Sequence, residues 1–163
     1  MQILLTEEEL REGVAKMATS ISECYANNPL TIVGILTGSV VLMADMIRLL
    51  EMPLRVGVLQ ARSYQGATTT RGPLVINDEL MPDIEGREVL LLDDIFDTGH
   101  TLKEVEARIR RFNPATVRSA VLLYKEGRQR SRWSPISLDS LSRKARFPSS
   151  KSSCSKRSRL VIQ

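Results

Sequence analysis

Val89-Leu90-Leu91-Leu92-Asp93-Asp94-Ile95-Phe96-Asp97-Thr98-Gly99-His100-Thr101-Leu102 is the stretch from which the fold can be read. Four apolar residues ended by charge predict a parallel strand buried on both faces. The residues after it, Lys103-Glu104-Val105-Glu106-Ala107-Arg108-Ile109-Arg110-Arg111, predict an amphipathic helix. The polar residues between them therefore sit where a strand's carboxyl end meets a helix's amino end, the place where open α/β sheets bind ligands. A helix start offers unpaired backbone N–H groups and the positive end of a dipole, which suit a phosphate. Thr98 and Thr101 add hydroxyl donors, and Gly99 lets the backbone approach closely. Carboxylates repel phosphate, so Asp93 and Asp94 make sense only if they face sugar hydroxyls or a metal ion while the loop holds the phosphate.

This stretch resembles the phosphoribosyl-diphosphate (PRPP) signature of type I phosphoribosyltransferases, and most of all its hypoxanthine-guanine variant. The resemblance covers roughly residues 3–128. It implies transfer of ribose 5-phosphate from PRPP to a purine nitrogen with release of pyrophosphate. Asp93 and Asp94 would hold the ribose hydroxyls directly or through Mg²⁺, Asp97 would share the proton of the purine imidazole ring, and Thr98, Gly99, His100 and Thr101 would cradle the 5′-phosphate. His100 is the only histidine. It stands where the family has Lys or Arg, in a loop that works through its backbone, so it reads as a loop residue and not as a general base.

The totals agree with a single α/β domain. The chain has 163 residues, 42% hydrophobic and 26% charged, which is ordinary for a globular protein with a real core. No apolar run approaches the length of a membrane span. The amino terminus turns acidic at once at Glu7-Glu8-Glu9, which argues against a signal peptide. Two cysteines, Cys24 and Cys154, are too few for a disulfide scaffold, and a cytoplasmic location with both thiols reduced is the expectation. The net charge of +4 hides an asymmetry: residues 1–128 carry 14 Lys/Arg against 18 Asp/Glu, and residues 129–163 carry 9 against one, Asp139.

In chain order, Thr6 with Glu9 predicts a capping box opening a helix to about Ala26, with Leu10, Val14, Met17, Ala18 and Ile21 on its inner face. Leu30 to Leu36 predicts the first buried strand, and a helix follows over 40–50. Leu36-Thr37-Gly38-Ser39 is thus a second strand–loop–helix junction and a second candidate anion site. The resemblance makes it the pyrophosphate loop and implies a cis peptide at Leu36–Thr37. Thr37 replaces a Lys that is frequent in the family. A strand is predicted over 54–61, a mobile loop over 62–72 and a returning strand over 74–77. By resemblance, Ser63 and Tyr64 open a lid that keeps water from a cationic sugar. Asn113-Pro114 ends the central helix, and a buried strand follows over 117–124. Lys125 at its end would contact the exocyclic oxygen of a 6-oxopurine, and Arg128 would contact pyrophosphate.

The predicted architecture is a parallel sheet of about five strands flanked by helices, a core over residues 1–128 and a basic, serine-rich tail over 129–163. The family's base-reading hood, a Pro-Asp-Phe-Val-Gly-Phe-type segment, is missing or altered. Permitted codons for residues 131–144, read two bases later, give Glu-Val-Val-Pro-Asp-Phe-Val-Gly-Phe, then Ala or Val, then Ile-Pro-Glu. A frameshifted carboxyl terminus is one reading of the tail, and a low-complexity basic tail is the other. The implied function is purine salvage from PRPP and a 6-oxopurine, with Mg²⁺, in a homodimer or homotetramer, without membrane or nucleic-acid partners. The rivals are a xanthine-preferring transferase, an RNA-binding regulator on the same fold, and an inactive truncated homologue.

Overall fold

Apolar runs without polar alternation form the centre of a parallel sheet, because helices must cover both of its faces. In the computed structural model, which describes residues 6–26, 28–65, 71–96, 99–124 and 159–161, such runs are β1 (Leu30–Leu36) and β4 (Glu88–Phe96). The other elements are α1 (Glu7–Tyr25), α2 (Ser39–Leu49), β2 (Leu54–Gln65), β3 (Arg71–Asn77), α3 (His100–Ile109), a 3-10 turn (Arg110–Phe112), β5 (Thr116–Tyr124) and β6 (Arg159–Val161). The sheet order is β3-β2-β1-β4-β5-β6. All pairings are parallel except β2 with β3. The five strands between residues 30 and 124, four parallel and one antiparallel at the edge, match the predicted sheet of about five, and β6 adds a sixth.

Two layers of core follow from the crossovers. The β1–α2–β2 and β4–α3–β5 units step in opposite directions along the sheet, so right-handed connections put α2 and α3 on opposite faces. On one face Met17, Ile21, Met46, Ile32, Leu90 and Leu92 pack together under α1 and α2. On the other, Val105 and Ile109 of α3 pack on Val33, Val89, Leu91 and Val117. Leu90 and Leu91 are therefore both buried while facing opposite ways.

The capping box at α1 is formed. The Thr6 backbone N–H donates to the Glu9 carboxylate at 2.7 Å, and the Glu9 N–H donates to Thr6 Oγ1 at 3.2 Å. A Thr6→Ala variant loses this end and is expected to be less stable by about 1 kcal/mol. A melting temperature lower by about 3 °C, read by circular dichroism, would be the corresponding shift. An unchanged melting temperature would show that the cap contributes nothing.

Four predicted boundaries need correction. The strand carrying the acids does not stop at Leu92 but runs on through Asp93, Asp94 and Ile95 to Phe96, with Asp93 opposite Val121 and Ile95 opposite Leu123. Pairing with β5 holds the backbone extended although both carboxylates keep access to water. The central helix begins at His100, not after Leu102, because Gly99 at φ +73° turns the chain into it at once. Residues 62–65 and 71–72, predicted as loop, are arms of a β2–β3 hairpin whose tip, 66–70, lies outside the described residues. The fourth is β6, which pairs with β5 from Ser119↔Arg159 to Val121↔Val161 in a tail where no strand was expected.

Candidate functional site

Strand order fixes where a ligand can sit. β1 is followed in space by β2 on one side and β4 on the other, and the chain reverses direction between β1 and β4. Such a switch point opens a crevice at the carboxyl ends of the two strands. Here β1 and β4 pair from Thr31↔Val89 to Gly34↔Leu92. Beyond that pairing lie Ile35 and Leu36 on one strand and Asp93 to Phe96 on the other. A cavity of about 210 Å³ lies there, lined among others by Leu36, Gly38, Asp93, Ile95, Gly99 and Thr101. The structure thus brings together Leu36 and Gly38 of the predicted pyrophosphate loop, Asp93 of the acidic pair, and Gly99 and Thr101 of the predicted phosphate loop.

The first loop is tightly built. The Leu36–Thr37 peptide is cis. Ser39, fully buried, donates its hydroxyl to the Ile35 carbonyl at 2.7 Å, and the Val40 N–H reaches the Thr37 carbonyl at 3.3 Å. Gly38 is the N-cap of α2, makes no side-chain cap bond, and precedes a first turn without acidic residues. The first turn of α2 thus carries no acidic side chain of its own to oppose an anion at its amino end. Gly38 is also pressed against the acidic pair: a Cβ there would stand 2.5 and 2.6 Å from the two carboxylate oxygens of Asp94. Only glycine lets these two loops share the space.

The two acids share a strand but not a face. Asp93 borders the cavity on the α3 side, whereas Asp94 borders a wider groove of about 1390 Å³ between α1 and α2. Local backbone bonds hold both. The Asp94 N–H donates to Asp93 Oδ1 at 3.1 Å, and the Ile95 N–H donates to Asp94 Oδ1 at 2.8 Å. Burial, reinforced by the neighbouring Asp94 charge, pushes the Asp93 carboxyl up to about 7. Among the described residues no group of three His, Cys, Asp or Glu side chains converges as a metal cage. In the cavity itself the donor is the Asp93 carboxylate, and one carboxylate suffices for Mg²⁺ when water and substrate oxygens complete its shell.

On the third loop, Thr101 is half-buried in the first turn of α3, and His100 is exposed at its first position. Asp97 and Thr98 lie outside the described residues, as do Lys125 and Arg128. The backbone of Ser63 and Tyr64 belongs to β2, and their side chains lie outside what is described. One residue was missed by sequence reasoning. Ile95 is 47% exposed and borders both the cavity and the groove, an apolar surface beside two carboxylates. In a run reading Asp-Asp-Ile-Phe-Asp it looks like core, and only Phe96 is buried there.

Comparisons with known proteins agree with this fold. The model of the phosphoribosyl transferase domain matches residues 2–147. A hypoxanthine-guanine phosphoribosyltransferase of Aquifex aeolicus is 34% identical over 131 residues, covering 80% of this chain and 74% of that protein. The Staphylococcus epidermidis enzyme of the same name is 35% identical over 129 residues, covering 79% and 72%. Among solved structures, a hypoxanthine-guanine phosphoribosyltransferase of Bacillus anthracis with HEPES in its active site superposes with a TM-score of 0.75 at 27% identity, covering 82% of this chain and 79% of that one. The hypoxanthine phosphoribosyltransferase of Trypanosoma cruzi, solved with its product IMP, superposes at 0.70 with 30% identity, covering 82% and 73%.

Proposed function

Because the chain belongs to the phosphoribosyl transferase family, alongside the hypoxanthine-guanine phosphoribosyltransferases, we propose that it forms IMP or GMP from PRPP and hypoxanthine or guanine. The observation that carries this reading is the switch-point cavity, where two helix amino ends meet the Asp93 carboxylate, with Asp94 set against Gly38 at its border. PRPP carries phosphate at both ends of a sugar with two hydroxyls, and the cavity offers an anion site, a hydroxyl site and a second anion site in that order. The amino end of α3, with Thr101 and the backbone around Gly99, holds the 5′-phosphate. The amino end of α2, with Leu36, Thr37 and Gly38, holds the pyrophosphate, to which Arg128 contributes by resemblance. Asp93 and Asp94 take the ribose hydroxyls and face the positive charge that develops on the sugar.

In the reaction the bond from the ribose anomeric carbon to pyrophosphate breaks and a bond to a purine nitrogen forms. The imidazole proton of the purine passes to Asp97 in this scheme, and Lys125 contacts the exocyclic oxygen. The exposed Ile95 side chain offers an apolar surface to the flat face of the base. Asp93, with substrate oxygens, would hold Mg²⁺, which would supply charge neutralisation to the leaving pyrophosphate. The working form is a homodimer or homotetramer; exposed Val40, Val41, Ile47 and Leu49 on α2 support assembly. No helix among the described residues is long and apolar enough to cross a membrane, in keeping with the cytoplasmic location we assign.

Binding is tested by thermal shift of the full chain with Mg²⁺ and PRPP. At about 100 times its dissociation constant PRPP stabilises by about 2.7 kcal/mol. That corresponds to a rise of roughly 5–10 °C in melting temperature. No rise with PRPP, together with a salt-sensitive mobility shift of RNA, would replace the transferase reading with that of an RNA-binding regulator.

A further inference from the structure

A group of polar side chains stands at the amino edge of the sheet, away from the cavity at its carboxyl edge. Glu88 opens β4 and Thr116 opens β5. Glu88 pairs with Thr116, Leu90 with Arg118 and Leu92 with Ala120. Side chains alternate along a strand, so Glu88, Thr116 and Arg118 share the face of Leu90, Leu92 and Ala120, the face packed under α1. Cys24 and Tyr25 meet them from the last turn of α1.

Arg118 Nη1 donates a hydrogen bond to Cys24 Sγ at 2.6 Å, and its guanidinium lies over the Tyr25 ring, 5.0 Å from the centroid. Cys24 is half-buried, so solvent reaches the residue. Tyr25 is only 3% exposed, and its hydroxyl is buried with no hydrogen-bond partner among the described residues. The Thr116 hydroxyl is buried and unpartnered too. The charges that act on the Tyr25 hydroxyl place it within the group. Burial holds its pKa above the ordinary tyrosine range, the Arg118 charge lowers it, and the Cys24 and Glu88 charges raise it. Buried hydroxyls are nearly always paired, so an orphaned one beside a thiol and a guanidinium leaves a place for an oxygen atom. The thiolate is the reactive form of cysteine, and a guanidinium in contact with the sulfur favours it. Glu88 and the carbonyl end of α1 oppose it; the guanidinium outweighs them by standing against the sulfur itself.

We propose that Cys24 is a site of oxidative modification: a hydroperoxide converts its thiol to a sulfenic acid, whose oxygen takes the hydrogen bond that the Tyr25 hydroxyl lacks. The sulfur attacks one peroxide oxygen, so that an S–O bond forms and the O–O bond breaks. Sulfur gives up two electrons and the peroxide takes them. With hydrogen peroxide, the departing hydroxide leaves as water with the proton of the thiol. The site is independent of the transferase reading.

The test uses the full chain with Cys154→Ser, which leaves Cys24 as the one thiol. Its alkylation by iodoacetamide at pH 7 is followed by mass spectrometry, in the folded chain and in urea. Folded Cys24 is expected to react about threefold faster, because a larger thiolate fraction outweighs the lower nucleophilicity of a more acidic thiol. Adding Arg118→Met should bring the folded rate below the unfolded one, since half-burial then acts alone. With hydrogen peroxide, dimedone should trap a sulfenic acid at Cys24. Adding Tyr25→Phe should shorten the life of that acid by about threefold, the scale of one lost hydrogen bond, at an unchanged alkylation rate. Folded Cys24 reacting more slowly than in urea overturns the proposal without any further variant, as does the absence of a dimedone adduct. A sulfenic acid that lives as long in Tyr25→Phe overturns the role given to the hydroxyl.

Discussion

Replacing Gly38 by alanine is expected to lower kcat/KM for PRPP by about a hundredfold while leaving the fold intact, the scale on which a displacement of about 1 Å at a reacting centre acts. The new methyl would stand 2.5–2.7 Å from the carboxylate atoms of Asp94. No ordinary contact is that close, so either the Asp94 carboxylate turns away or the loop lifts. Both outcomes separate the loop proposed for pyrophosphate from the acids proposed for the sugar. The backbone itself does not object, since Gly38 has φ −57° and ψ −43°, ordinary helical values for any residue. Alanine at a helix start would, if anything, reduce the freedom of the unfolded chain. Steady-state kinetics beside thermal unfolding separates the cases. A hundredfold loss at nearly constant melting temperature is the expected result. A joint fall of activity and melting temperature would mean that Gly38 serves the fold alone.

The second large effect is a pH dependence of stability centred on Asp93. Its folded pKa is raised to about 7 from an ordinary value of 3.8, first by burial and then by the charge of Asp94. A carboxyl raised on folding holds its proton more tightly in the folded state. Its contribution is therefore most favourable below about pH 4, diminishes as the pH rises towards 7, and is constant above that. At 1.36 kcal/mol per pKa unit the decline is on the order of 4 kcal/mol. Asp93→Asn removes it. The stability of that variant relative to wild type should grow by roughly this amount between pH 4 and pH 8, as measured by urea unfolding at each pH. Mg²⁺ with PRPP should lessen the difference at pH 8, because a bound cation favours the ionised carboxylate. Parallel profiles for wild type and Asp93→Asn would show that Asp93 is solvated in the folded chain. The same variant is expected to lose activity while gaining stability at pH 8, the trade expected where a buried charge is kept for chemistry.

The place of the candidate site at two strand–helix junctions was legible in the sequence because its chemistry and its local geometry coincide in one stretch. An apolar run ending in acids, a glycine and two threonines leaves few alternatives to a strand–loop–helix ligand site. The same holds for β1 and the loop after it, whose cis peptide at Leu36–Thr37 the family resemblance had implied. What could not be read depends on neighbours. Asp93 and Asp94 look like a strand end because acids are depleted in strands. They stay in β4 because β5 continues to pair with it while β1 does not. Arg62-Ser63-Tyr64-Gln65 is polar on both faces and so carries no alternation to mark a strand. Only its antiparallel partner makes it one. The contact between Gly38 and Asp94, 56 positions apart, and the ion pair between Asp78 and Arg108 arise from strand order and leave no local trace. For β6, three residues in a basic, serine-rich tail give no periodicity to find.

The most direct test of the account is product formation by the full chain with PRPP, Mg²⁺ and hypoxanthine or guanine, followed by mass spectrometry of the nucleotide and assay of pyrophosphate. The expected result is IMP or GMP in equal amount to pyrophosphate, abolished by Asp97→Asn and reduced by about a hundredfold in Gly38→Ala. Neither nucleotide nor pyrophosphate from a folded chain, with both purines and with Mg²⁺ present, would contradict it.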